Sequence, residues 1–298
     1  MMSCSLLKNN WTICIHGPNR IRGIELYKRI KHHGFKVIYV TWYQGIDRIK
    51  SPDIIEVEPI PSIYKDPLTS VEHNANRMKK LALEGLKQVK TDFSLRTRDD
   101  IEFADIPLLI KHLAIAEKFL DNRIGVLNTG TSPFEYFAYH LSDYLTIGKT
   151  DKQIEIWNTM DTSLNDLSLK YLLLSKLIYG KTGFRGTRYA AEQQLGLSVA
   201  KQFGIKPSLR FVDDNRDFKF KDKFLEHILI FSEEYLQING PSRLFDNSRI
   251  KYTQQKFQFS KANELTPNQE YKPKRIKSFF ALPTILLMKC INTLFLKY

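Results

Sequence analysis

Arg96, Arg98, Asp99, Asp100 and Glu102 crowd into the end of one short stretch, TDFSLRTRDDIEF at 91–103. Carboxylates in such a group can hold a hard divalent cation, Mg²⁺ or Mn²⁺, which in turn holds phosphate oxygens. Arginine forks supply donors to the same anion. Together they suit the stabilisation of a departing diphosphate. The competing reading is a solvated, self-compensating salt-bridge cluster, and pattern alone leaves both open.

The cluster needs an element to carry it. Phe93, Leu95 and Thr97 alternate with Ser94, Arg96 and Arg98, the period of a pleated strand. The charges therefore fall at its carboxyl end, where ligands bind in open α/β sheets. Neighbouring side chains on a strand point to opposite faces, so joint chelation by Asp99 and Asp100 requires a bend after Arg98.

The rest of the first half supplies a sheet. WTICIHG (11–17) reads as strand and turn, and Ile21, Ile24, Tyr27 and Ile30 as a helix up to Gly34. FKVIYVTW (35–42), PDIIEVEPI (52–60) and RIGVLNTG (123–130) read as further strands. Helices are expected over 74–90, with Met78, Leu81, Leu86 and Val89 on one face, and over 107–120 from Pro107. Strands alternating with helices predict a mostly parallel α/β sheet. Beyond about residue 150, DKQIEIWN, DLSLKYLLLSKLIYG and RYAAEQQLGLSVAKQFG predict a mainly helical part.

Composition sets outer bounds. The 298 residues are 43% hydrophobic, and 45 Lys+Arg against 32 Asp+Glu give a formal charge of +13. That balance suits an anionic partner: a phosphorylated substrate, an acidic membrane surface or nucleic acid. Cys4, Cys14 and Cys290 are too few and too scattered for a disulfide framework or a zinc site, so a reducing cytoplasm is expected. The N-terminal residues lack the pattern of a secretory signal. GKT occurs at 148–150 and 180–182, but Asp143 and Ser175 stand where a P-loop needs its first glycine.

The ordered set GPNR (17–20), VIYVTW (37–42), KDPL (65–68), NANRMKKLALEGLKQVKTDFSLRTRDD (74–100), HLSDYLTIGKTD (140–151) and RYAAEQQLG (188–196) resembles the WavE lipopolysaccharide synthesis family. The resemblance implies a GT-A-like, Rossmann-like fold: a mixed, mostly parallel sheet flanked by helices, with a helical C-terminal part. It implies a glycosyltransferase that moves a sugar from a nucleotide-diphosphate donor to a hydroxyl of a lipid-linked or polysaccharide acceptor. It puts Arg96, Arg98 and Asp99 on the family's donor-diphosphate motif, with Asp100 and Glu102 just beyond; Asp100 is expected to join them on the diphosphate, and Asp99, Asp100 and Glu102 to hold a divalent cation. The spacing departs from Asp-x-Asp, so the arginines are a metal-free alternative.

Asn76 and Arg77 match the start of the family's central helix, where a helix N-terminus can receive phosphate or ribose; an ordinary cap and surface base is the alternative. His140, Ser142 and Asp143 precede Gly148 in a candidate sugar loop, read otherwise as a hydrogen-bonded turn. Glu192 matches an acidic position and is the candidate base for the acceptor hydroxyl, with Asp143 as a second catalytic carboxylate.

The boundaries expected are 1–240 for the transferase domain, 241–277 for a polar, basic linker-like segment and 278–298 for an apolar terminal helix. Lys272, Lys274, Arg275 and Lys277 precede that apolar run. A polybasic patch gains roughly 1 kcal/mol per base at an anionic leaflet, so peripheral attachment to the cytoplasmic face is expected. A tail docked on the core is the other possibility. The alternatives are a catalytically inactive transferase relative and a nucleic-acid-binding protein, but no recognisable nucleic-acid module is present, so no specific nucleic-acid partner is expected.

Overall fold

The computed structural model describes residues 9–18, 20–45, 51–62, 64–65, 72–103, 106–121, 123–127, 138–162, 191–208, 216–231, 236–238 and 260–261. The helix expected over 166–180 and the tail at 278–298 lie outside these residues, as does the 241–277 segment apart from Ser260 and Lys261.

The first buried run forms β1 (Trp11–His16), whose six residues are all buried. Burial on both faces is what a central parallel strand requires. Helix α1 (Arg20–His32) returns the chain to β2 (Lys36–Trp42), and β3 (Ile54–Val57) follows. Two short strands, β4 (Tyr64–Lys65) and β5 (Glu72–His73), pair with each other before helix α2 (Ala75–Leu86) leads into β6 (Phe93–Arg98). After β6 come β7 (Ile101–Phe103), helix α3 (Ile106–Ala116), β8 (Ile124–Leu127), β9 (Leu145–Lys149) and helix α4 (Thr150–Thr159). Helix α5 (Ala191–Gln202), a short helix α6 (Lys221–Leu225), β10 (Ile228–Phe231), β11 (Leu236–Ile238) and β12 (Ser260–Lys261) complete the described elements.

Eight strands form one sheet in the order β12-β10-β8-β9-β6-β1-β2-β3. Strands β1, β2, β3 and β6 are mutually parallel along their pairings, with Cys14 beside Arg96 and His16 beside Arg98. The sheet is thus the mixed, mostly parallel sheet flanked by helices that the sequence predicts.

One element corrects the sequence reading. The second half of HLSDYLTIG, where the sequence suggests a sugar loop, belongs to the strand β9, lying antiparallel between β6 and β8. Leu145 and Ile147 pack into one core while Thr146 faces the other way, so even five residues have a buried two-residue period. Gly148 packs closely there: a Cβ would come 2.7 Å from Ile124 Cδ1, so that side chain would have to shift.

Two apolar cores cover the two faces. Leu81, Leu86, Trp157, Leu195 and Phe224 from α2, α4, α5 and α6 pack against Cys14 and Val40. On the opposite face Leu26, Ile30, Leu109 and Leu113 from α1 and α3 pack against Ile13, Ile15 and Leu95. Each such side chain contributes roughly 1.5–3 kcal/mol on burial, so the strands' carboxyl ends are held on a rigid base.

Candidate functional site

Strand β6 ends at Arg98 and the chain turns at Asp99–Asp100 before β7. This is the bend that joint use of the two carboxylates requires. The turn is pinned to β1: Asp99 N donates to His16 O at 2.9 Å. The Asp99 carboxylate is buried and lies where a Cβ on Gly17 would stand, so glycine at 17 leaves the space for it.

Arg98 is held from three sides. Its Nε donates to Asp100 Oδ1 at 2.9 Å and its Nη2 to Asp100 Oδ2 at 2.5 Å. Its Nη1 donates to Asp143 Oδ2 at 3.2 Å, and its guanidinium lies 4.7 Å from the centre of the Tyr144 ring. Burial opposes its charge, but Asp143 and Asp100 outweigh that and hold its pKa above the ordinary arginine value.

Arg96 does not reach the surface. It is fully buried, stacked 4.4 Å from the Trp157 ring, and one Nη1 bond runs to the Asp143 carbonyl. Its Nε and Nη2 have no hydrogen-bond partner among the described residues. Burial pushes its pKa down to about 9, Asp143 opposes that shift, and Arg98 adds to it. A guanidinium still carries its charge at neutral pH under these conditions. Arg96 thus supports the Asp143 loop from below, and direct contact with a surface ligand does not fit its position.

The 138–144 loop brings the other predicted carboxylates in. Leu141 N donates to Glu192 O at 3.3 Å, which sets the first turn of α5 against the loop. Tyr144 feels Asp143, Arg98, Asp100 and Glu192 together; burial first and Asp143 next raise its phenol pKa. Gly196 of α5 lies so close to the Tyr139 carbonyl that no Cβ fits between them. Tyr139 itself has φ 60°, a left-handed conformation uncommon outside glycine and frequent at functional sites. Ser142 Oγ accepts the Tyr144 N–H at 3.3 Å, a local turn bond. His140 is half-buried, and burial lowers its pKa against the pull of Asp143.

Asn76 and Arg77 stand apart from this cluster. Asn76 Nδ2 donates to Pro61 O and Arg77 Nε to Ile60 O, both at 2.7 Å. They tie the segment after β3 to the first turn of α2. The Glu102 side chain lies outside the described residues, although its backbone pairs with Gln237 in β11.

Two groups escaped the sequence reading. His16, at the end of β1, is buried with Nε2 unbonded among the described residues; burial, then Arg96 and Arg98, hold its pKa well below 6.5. Its place before Gly17 in a strand-turn-helix unit was the available signal. Arg22 and Arg29 of α1 line a cleft of about 230 Å³ together with Asp99 and Asp100. Their spacing with Glu25 and Leu26 marks one helical face, but not what that face would meet.

Among the described residues no group of three or more His, Cys, Asp or Glu side chains could hold a metal ion. Mg²⁺ needs only one or two carboxylates when substrate phosphates and water complete its shell. Asp99 and Asp100 at the turn are the carboxylates that could take that smaller role.

The open, mostly parallel α/β sheet with a cleft of arginines and carboxylates at its carboxyl edge is a Rossmann-like fold. The chain belongs to the WavE lipopolysaccharide synthesis family, which matches residues 22–292. No curated protein matches. Among solved structures, a glycosyltransferase involved in glycosylation of the major capsid of PBCV-1 is 12% identical, covering 57% of this chain and 74% of that one at a TM-score of 0.30. S. aureus TarS 1-349 is 13% identical, covering 73% and 63% at 0.33. The glycosyltransferase GlyE of Streptococcus pneumoniae TIGR4, in its apo form, is 12% identical, covering 72% and 50% at 0.32. Overlaps this shallow transfer no substrate to this chain.

Proposed function

We propose that the protein transfers a sugar from a nucleotide-diphosphate donor to a hydroxyl of a lipid-linked or polysaccharide acceptor in lipopolysaccharide assembly. The observation that carries this reading is the meeting of Asp99, the Arg98–Asp143 bridge and the start of α5 at one sheet edge, in a chain of the WavE family.

In this reading the donor diphosphate lies at the 99–100 turn. A divalent cation, Mg²⁺ or Mn²⁺, would be held by Asp99 and would neutralise charge on the leaving diphosphate. Glu192 takes the proton from the acceptor hydroxyl, since a carboxylate within hydrogen-bond reach serves as general base. Asp143, whose carboxylate accepts from Arg98, orients that guanidinium and keeps its positive charge fixed near the edge. Preorganised charge of this kind needs no rearrangement as the transition state forms. His16, held neutral, adds no further charge beneath the turn.

No helix among the described residues is long and apolar enough to cross a membrane. Attachment of 272–298 to the cytoplasmic face of an anionic membrane belongs to the proposal and would keep the enzyme beside a lipid-linked acceptor.

The test is to incubate the full chain with a panel of nucleotide sugars, with and without Mn²⁺, and follow thermal shifts and sugar transfer to lipid-linked acceptors. A cation-dependent shift with one donor, and transfer from it, is the expected result. Absence of any shift or turnover across the panel would overturn the reading.

A further inference from the structure

The backbone of Tyr139 is held where few side chains go. Its φ of 60° is the only positive value outside glycine among the described residues, and such a conformation persists only where the surroundings over-determine it. The start of α5 does so. Gln193 Nε2 donates to Ala138 O at 2.9 Å, Gly196 leaves room for the Tyr139 carbonyl, and Leu141 N donates to Glu192 O at 3.3 Å. Loop residues 138, 139 and 141 are thereby matched to residues 193, 196 and 192.

The side chain is anchored separately. Its ring is fully buried and meets Phe224 of α6 edge-on, with centroids 5.1 Å apart. Its phenol lies beside Asp217, a fully buried carboxylate that also accepts from Ser208 N at 2.6 Å and from the Ser208 hydroxyl. Burial first, and the Asp217 carboxylate next, raise the phenol's pKa, so the hydroxyl keeps its proton at neutral pH.

The same loop has a second fixed point, because Asp143 accepts the bond from Arg98. Tyr139 therefore stands at the joint between α5, which carries Glu192, and the bridge at the end of β6. A shift of this joint moves the proposed base relative to the donor turn. Misplacement of reacting groups by about 1 Å costs on the order of 10²-fold in rate.

We propose that Tyr139 is a positioning residue for the transfer step: anchored on Asp217, it sets Glu192 relative to the Asp143–Arg98 bridge without touching either substrate. The assignment rests on the transferase reading, with Glu192 as its base.

The experiment compares Tyr139→Phe, Glu192→Gln and the double variant in the full chain, with the donor and acceptor that the nucleotide-sugar panel identifies. Tyr139→Phe keeps the ring and removes only the hydroxyl. It is expected to lower kcat about ten-fold or more while donor Kd stays within about two-fold. In the Glu192→Gln background the same change should cost little further, since residues that act as one unit are non-additive. Asp217→Asn should repeat the split between kcat and Kd, and serves as the second variant should the first not fold. Hydrogen exchange at the Leu141 amide should quicken in both, as the loop loosens on α5. An undiminished kcat, a fully additive loss in the double variant, or donor affinity falling as far as kcat would each overturn the assignment. No turnover in the unaltered chain, or normal turnover in Glu192→Gln, removes the underlying reading and this assignment with it. Impaired Glu192→Gln beside unimpaired Tyr139→Phe removes this assignment alone.

Discussion

Arg98 Nη1 donates to Asp143 Oδ2 across 3.2 Å, joining the end of β6 to the loop that precedes β9. The bond links residues 45 positions apart and sets the loop over the sheet edge. Asp143→Asn should lower stability by no more than about 1.5–3 kcal/mol, the range for hydrogen bonds to charged groups, because Arg98 keeps Asp100 as a partner. Urea unfolding measures this directly. Turnover should fall further than stability, since Tyr144 and the first turn of α5 meet the same loop.

Gly17→Ala provides a different separation of fold from function. Its new methyl group would displace the buried Asp99 carboxylate, whose atoms are the three nearest contacts. Near-native circular dichroism is expected together with loss of donor binding. Asp99→Asn should reproduce the functional loss. Full activity in Asp99→Asn would remove the turn from the mechanism.

Glu192→Gln is expected to cut turnover by about 10²-fold or more while leaving donor affinity nearly unchanged, as for loss of a general base. A defect confined to the Michaelis constant would reassign Glu192 to acceptor binding.

His16 makes a pH prediction. Its native pKa lies well below 6.5 because it is buried, with Arg96 and Arg98 nearby. Above about 6.5 both the folded and unfolded forms are neutral, so stability does not vary with this group. Below that pH the unfolded chain takes up a proton that the folded chain refuses, and stability falls as pH falls, by about 1.4 kcal/mol per unit for one proton. His140, shifted in the same direction, adds a smaller slope. In His16→Gln the slope between pH 6.5 and 5, read from chemical denaturation, should shrink.

Deleting 278–298 should release the protein from anionic liposomes while leaving nucleotide-sugar binding intact, since the proposed donor turn is at 99–100. Sedimentation at low and high salt tests this. Retention of the shortened chain on the liposomes would assign attachment elsewhere, and unfolding on deletion would mean that the tail docks on the core.

Much of this was legible in the residues. The period of FSLRTR gave β6 and its direction, and the charges after it marked the ligand edge. Sequence could not show that Arg96 points beneath Trp157, because alternation assigns a face and says nothing of what covers it. Strand β9 was missed since Thr146 and Gly148 dilute a five-residue apolar signal, and its burial comes from long-range pairing with β6 and β8. The α1 wall was hidden for the same reason: its face is local, its partner is not.

The antiparallel placement of β9 has a consequence for the protein's birth. Synthesis delivers β1, β2, β3 and β6 before β9 and Trp157 exist. Until then β6 is the open margin of a half-built sheet, a template on which nascent neighbours could add strands. An inward-pointing charge is one of the devices that discourage such addition. Arg96 carries such a charge on β6, and in the folded chain β9 pairs beside that strand while the indole of Trp157 covers the guanidinium.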